Sequence, residues 1–345
     1  MATVQRSAAR VAWSAKRQSA FGTALVKTDL TRYLRLQDPI IINENAEHWN
    51  DRGAIGTGHD WETQRGKISQ HVQFEIPVQP VPVDFAGYLV ALIFSDVSTD
   101  GQDDPAYVHT TKFQPLASRP QAYTTSLAVQ EDGNDYYLQD VACTSLTIRG
   151  AGSNRMEMGG SFVASRIGGT LESYSWPQAS ALKYLYNYAG TFSIDGTDRK
   201  SQIRSFELSL ESGINMGLAW SKAASEADRI YPSAWPYTPE RNMGLTLRIL
   251  AEGNNLAVFR NAQQVGSEDE IVISCLGVAI TGTANPVVFD ELEITVPRAV
   301  YTGVDQSYDD GLLHLDLNIE GHFDSTAGGP IEIAATNNVT EYLAT

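Results

Sequence analysis

Cysteine is almost absent from this chain of 345 residues, which contains only Cys143 and Cys275. Each sits in an apolar, strand-like segment, and two cysteines so far apart make neither a disulfide framework nor a metal cluster. They read as buried free thiols. Long apolar runs are also missing. The longest, Val83 to Phe94, is interrupted by Asp84 and Gly87, and it falls short of the roughly 20 residues that a membrane-spanning helix needs. No apolar secretory core follows Met1. Basic residues are scarce: 25 Lys and Arg stand against 41 Asp and Glu, a formal charge of −16. Gripping a phosphate backbone rests on clustered Lys and Arg, so an acidic body argues against a nucleic-acid binder.

The familiar catalytic spacings are absent too. There is no Walker-type glycine loop, no G-x-S-x-G elbow and no H-E-x-x-H. His48, His59, Asp60 and Glu62 lie in a polar loop and read as surface groups. Asp100, Asp103 and Asp104 lack the spacing of a calcium loop. The expectation is no catalytic residue, no metal and no cofactor. Carboxylates are plentiful, so a glycan-binding or glycan-cleaving β-sandwich stays open as an alternative.

What the chain does contain is period-two alternation, which dominates from about residue 68 onward. Phe206, Leu208 and Leu210 alternate with Ser205, Glu207, Ser209 and Glu211. The same rhythm runs through Leu245 to Ile249, Leu292 to Val296 and Leu313 to Ile319. Half-buried antiparallel strands have this signature. Turn signals at Glu131 to Asn134, Gly150 to Asn154 and Asp309 to Gly311 separate them. Only two helices are predicted: one from an Asp84 cap to Phe94, and one from Asn255 to Gln264 capped by Asn254 or Asn255.

Each helix follows a strand and a short connection and precedes further strands, so the order strand, turn, helix, strands occurs twice. This predicts a mainly β protein with two tandem β-sandwich domains, each with a flanking short helix. The predicted plan has an N-terminal extended arm at 1–45, a first domain at 46–172 and a second at 173–345 that carries a long loop at 213–241. The arm is basic: Arg6, Arg10, Lys16, Arg17, Lys27, Arg32 and Arg35 face one acid, Asp29. Such a segment either targets the chain or nucleic acid, or docks on an acidic neighbour. The long loop holds Trp220, Tyr231, Trp235 and Tyr237, and aromatic loops of that length are candidate contacts with another subunit.

The run Gln18-Ser19-Ala20-Phe21-Gly22-Thr23 resembles the Q-x-x-F/Y-G-T segment of the major tail tube proteins of long-tailed, siphovirus-type bacteriophages. The strand pair Thr144 to Ile148 with Met156 to Ser165, the alternation at Arg204 to Ser212 and Glu291 to Val296, and the closing Ile331 to Ala335 are also similar. The resemblance covers nearly the whole chain. It implies a virion protein of the tail, assembled in the bacterial cytoplasm, whose partners are copies of itself, the tape-measure protein and other tail proteins. Relatives with two such domains form trimeric rings of pseudo-sixfold symmetry that stack into a tube, and single-domain relatives form hexamers. Double-stranded DNA would pass through without specific binding, and no membrane is involved. On this reading Arg6, Arg10, Arg17, Phe21, Trp220, Tyr231, Trp235 and Tyr237 are candidate contacts between subunits. Glu207, Glu211, Glu293, Asp316 and Glu320, on polar strand faces, line either the lumen or the outer solvated surface. A tail terminator or hub protein is the nearest alternative.

Overall fold

Alternation in the sequence becomes alternation in burial. In the computed structural model Phe206, Leu208 and Leu210 are buried, while Glu207, Ser209 and Glu211 are exposed. Residues 2–8, 10–34, 36–50, 65–103, 105–113, 118, 120–131, 134–171, 173–178, 182–216, 230–282, 287–309 and 311–344 are described, with 2–7, 48–50, 65–68, 102 and 103 described by backbone alone. In chain order the strands are β1 (Ala2–Ala8), β2 (Arg10–Trp13), β3 (Arg32–Leu34), β4 (Ile40–Asn50) and β5 (Arg65–Pro80), followed by helix α1 (Val83–Phe94). Next come β6 (Ser98–Asp103), β7 (Ala106–Lys112), β8 (Thr125–Glu131), β9 (Asn134–Ala151), β10 (Glu157–Ala164) and β11 (Arg166–Thr170). Then follow β12 (Phe192–Ile194), β13 (Thr197–Asp198), β14 (Ile203–Glu211), β15 (Asn242–Leu250) and helix α2 (Asn255–Val265). The last four are β16 (Glu268–Ala279), β17 (Phe289–Asp309), β18 (Leu312–Gly321) and β19 (Glu332–Asn337). The chain is mainly β, as its patterning predicts.

Every strand pairing is antiparallel. The longest run of neighbours is β1-β4-β5-β10-β9-β14-β15-β18-β17. Two long strands turn this run into layers. The first half of β9 leaves it to pair with β8 and β11, and β8 carries β2 and β3. The first half of β17 pairs with β16 and β19, which carry β12 and β7. Hydrogen bonding therefore crosses the predicted border between 172 and 173, through β9 with β14 and through β7 with β19.

Helix α1 lies inside this framework. Among its residues all but Asp84 are buried, as expected of a helix that is apolar all round. Trp13 packs on Phe85 and Tyr88 with ring centroids 5.2 and 4.6 Å apart. The helix starts two residues before the predicted position. Pro82 occupies the N-cap with φ −62° and no side-chain bond, and Asp84 falls in the first turn, where its Oδ1 accepts the Phe85 N–H at 2.9 Å. An acid there still complements the positive end of the helix dipole. Ser95, in the left-handed region at φ 48°, ends the helix. Helix α2 lies on β17 through Phe259 and Tyr301, with ring centroids 5.4 Å apart.

The segment 1–45 differs from the predicted extended arm. It folds back on the chain's own body: β1 pairs with β4, and β2 is clamped between β3 and β8. The edges of β4 and β8 supply backbone donors and acceptors that a detached arm would leave to water. The C terminus joins the same region, where Leu343 N–H donates to Ala15 O at 2.6 Å and Arg17 N–H to Ala344 O at 2.9 Å. Tyr342 is fully buried beside Gly87, and its hydroxyl donates to Asp84 O at 2.7 Å.

Candidate assembly surfaces

The outer face of the long sheet is built from short polar side chains interleaved with charge. Its register aligns Glu157, Arg149, Glu207, Thr246 and Asn318 across five strands in one transverse row. A second row runs Ser205, Arg248, Asp316, Asp305. Between Glu207 and Glu211 lies the row Gly159, Thr147, Ser209, Gly244. Arg149 Nε pairs with Glu157 Oε2 at 2.8 Å, and Arg248 Nε pairs with Asp316 Oδ1 at 2.7 Å. The Arg248 hydrogen bond holds the Asp316 carboxyl below the usual carboxylate range. This face therefore sets two paired arginines among more numerous acids and is not uniformly acidic.

Of the acids predicted to share a surface, four do so. Glu207 and Glu211 on β14 and Asp316 and Glu320 on β18 lie on the polar face of this sheet. Glu293 does not. It is half-buried on the part of β17 flanked by β16 and β19, near Glu291, Glu332 and Glu270. Burial first, then those three like charges, raise its pKa. Strand β17 serves two layers, and alternation alone does not reveal which layer a given glutamate joins.

The predicted contact residues divide as well. Trp235 and Tyr237 are buried within the chain, beside Ala122, Ala142 and Val163, which corrects their assignment as surfaces for a neighbour. The Trp235 indole N–H donates to Asp140 O at 2.6 Å, and the Tyr237 hydroxyl donates to Ser95 Oγ at 2.7 Å. Large aromatic rings with a polar tip are buried where that tip finds a partner. Phe21 lies edge-on to Trp235 at 5.9 Å, Arg17 stacks over Tyr123 at 4.0 Å, and Arg166 lies over Tyr231 at 5.1 Å. Arg10 is exposed on β2. The Arg6 side chain and Trp220 lie outside the described residues, as do His59, Asp60, Glu62 and Asp104 of the polar and acidic loops.

Sequence reasoning missed Asp140. It is fully buried with φ 55°, in the left-handed region that a non-glycine residue rarely enters. Its Oδ1 accepts from Gly22 N–H at 2.6 Å and from Gln18 Nε2 at 2.9 Å, and Ser165 Oγ donates to its Oδ2. Gln18 also donates to Thr23 O at 2.7 Å. The Gln18-to-Thr23 run is thus a folded turn docked on β9, and Gly22, at φ 83°, supplies the conformation that the turn requires. The signal in the sequence was Gln139-Asp140, two polar residues that interrupt an apolar strand.

Two stretches of the long sheet's rim are unpaired among the described residues. β1 pairs only with β4, and Gly303 to Asp309 of β17 pair only with β18. They lie at opposite ends of the same strand run. A groove of about 810 Å³ crosses β4, β5 and β10 and contains one carboxylate, Glu75, among apolar, amide and hydroxyl groups. No group of three or more His, Cys, Asp or Glu is placed to hold a metal among the described residues. Both cysteines are buried and free, and burial raises the Cys275 thiol to about 12. The chain matches no family model and no curated protein.

Proposed function

We propose that this chain is a structural subunit that polymerises as stacked rings into the tail tube of a long-tailed bacteriophage, with no catalytic role. One observation carries the reading: among the described residues a long antiparallel sheet ends on opposite sides in two strand stretches, each with one open edge. An open sheet edge invites pairing with another chain. With one open edge at each end, the same contact can repeat head to tail until a ring closes. The small, polar outer face supports the reading further, because its two arginines are paired with acids among short polar side chains and further carboxylates, a surface that holds DNA weakly. The repeated strand, helix, strands order favours two tail-tube-type domains and a trimer, with a hexamer as the alternative. Copies of itself are the main partner, with the tape-measure protein and other tail proteins beside them in the virion.

Negative-stain microscopy of the purified full chain tests this. Long hollow polymers are expected. A particle that stops at one ring would instead indicate a terminator or hub, and a monomer that stays monodisperse at high concentration would refute the ring.

A further inference from the structure

Near the N-terminus of α1 lies a constellation that ring assembly does not use. Asp290 is fully buried at the start of β17, with its side chain 1% exposed. Lys183 Nζ approaches its Oδ2 to 3.3 Å, yet neither oxygen accepts a hydrogen bond of good geometry among the described residues. The backbone fixes both partners. Lys183 O accepts the Val83 N–H at 3.0 Å, and Tyr184 bridges Pro82. Close packing holds Asp290 in turn, since a side chain at Gly277 would meet its Cβ and Tyr184 O at 3.1 Å each. Asp84, one residue beyond Val83, is paired with Arg32 at 2.7 Å. Burial, and then the Asp84 charge, push the Asp290 carboxyl upward against the pull of Lys183.

We propose that Lys183 and Asp290 are joined by an intramolecular amide bond between Nζ and Cγ. A buried, protonated carboxyl is an electrophile without the repulsion of a carboxylate, and a primary amine that has lost its proton is a good nucleophile. The Lys183 ammonium passes one proton to Asp290 Oδ2, 3.3 Å away, and the freed Nζ attacks Asp290 Cγ. The Nζ–Cγ bond forms and a Cγ–Oδ bond breaks. The hydroxyl leaves as water with a second proton from nitrogen. Ammonium plus carboxylate thus become amide and water. Fixed proximity substitutes for activation, because oriented groups react at effective concentrations far above any in solution.

Intact mass spectrometry of the denatured full chain tests the bond. The wild-type mass is expected one water below the sequence mass, and digestion should yield a branched peptide joining residues 183 and 290. Lys183→Arg should restore the full mass. A wild-type chain at full mass overturns the proposal. So does a loss of water that persists in Lys183→Arg, since it would come from a cyclised aspartate elsewhere. The branched peptide is read on the wild type, so the test does not depend on the variant folding.

Discussion

Gln18 and Asp140, 122 residues apart, hold each other by two reciprocal hydrogen bonds. The Gln18 amide donates to the Asp140 carboxylate at 2.9 Å, and the Asp140 N–H donates to Gln18 Oε1 at 2.9 Å. Asp140→Ala leaves the donors of Gln18, Gly22 and Ser165 without their acceptor and keeps a non-glycine residue in the left-handed region. A loss of about 2–4 kcal/mol is expected, seen as a lower denaturant midpoint. Asp140→Asn retains an acceptor and tolerates that backbone, so it should recover most of the loss. An alanine variant as stable as the parent would contradict the network.

Trp235 is an internal residue, so its removal should weaken the isolated subunit. Trp235→Ala is expected to cost about 3–5 kcal/mol through the cavity it opens. The melt of the dilute protein should drop regardless of concentration. Unchanged subunit stability with lost polymerisation would return Trp235 to an interface.

Gly87 is the seat of Tyr342. A Cβ at this position would meet Tyr342 Oη at 2.8 Å and Cε2 at 2.9 Å. Alanine gains about 1 kcal/mol of helix propensity, but overpacking costs about 1–3 kcal/mol. Gly87→Ala should therefore come out neutral to destabilising, and added thermal stability would show that the C-terminal tail yields freely.

Two carboxylates predict opposite pH trends. The pKa of Asp316 is lowered first by its hydrogen bond to Arg248, so the stability it contributes is present above the ordinary carboxylate range and lost as pH falls through the folded-state value. At this partly exposed pair the effect is small, about 0.5 kcal/mol, and Arg248→Ala should abolish the shift in an NMR titration. Glu293 is raised by burial and its acidic neighbours, so its contribution is full below the ordinary range and lost as pH rises through the folded-state value. Glu293→Gln should stabilise the chain at neutral pH by up to about 1 kcal/mol, and the advantage should vanish in acid. An equal benefit at both pH values would contradict the carboxylate repulsion.

Where burial alternates along a strand, the fold was legible. The limits of β14, β15, β16 and β18 follow the apolar rhythm, and the apolar run of α1 behind Asp84 shows as a helix, though not as an internal one. β17 was read only in part, because Pro297 and Arg298 interrupt its alternation while the backbone pairing runs through to Asp309. The surfaces were harder to read. Trp235 and Tyr237 look like contact residues when only composition is seen, and nothing local reveals that Asp140 and Ser95 accept their polar atoms. The strap around Gln18 was visible as a motif, but its partner lies 122 residues away, a relation that no local pattern encodes.

β17 contains 21 residues, which at about 3.3 Å each makes a rod of roughly 70 Å. One end is stitched to β16 and β19 and the other to β18, with no break in the backbone between them. Force applied to either layer travels along this member, so rotating one layer against the other means bending a hydrogen-bonded strand. β17 thus ties the two layers together as one continuous strut, a trait that two beads on a hinge would lack.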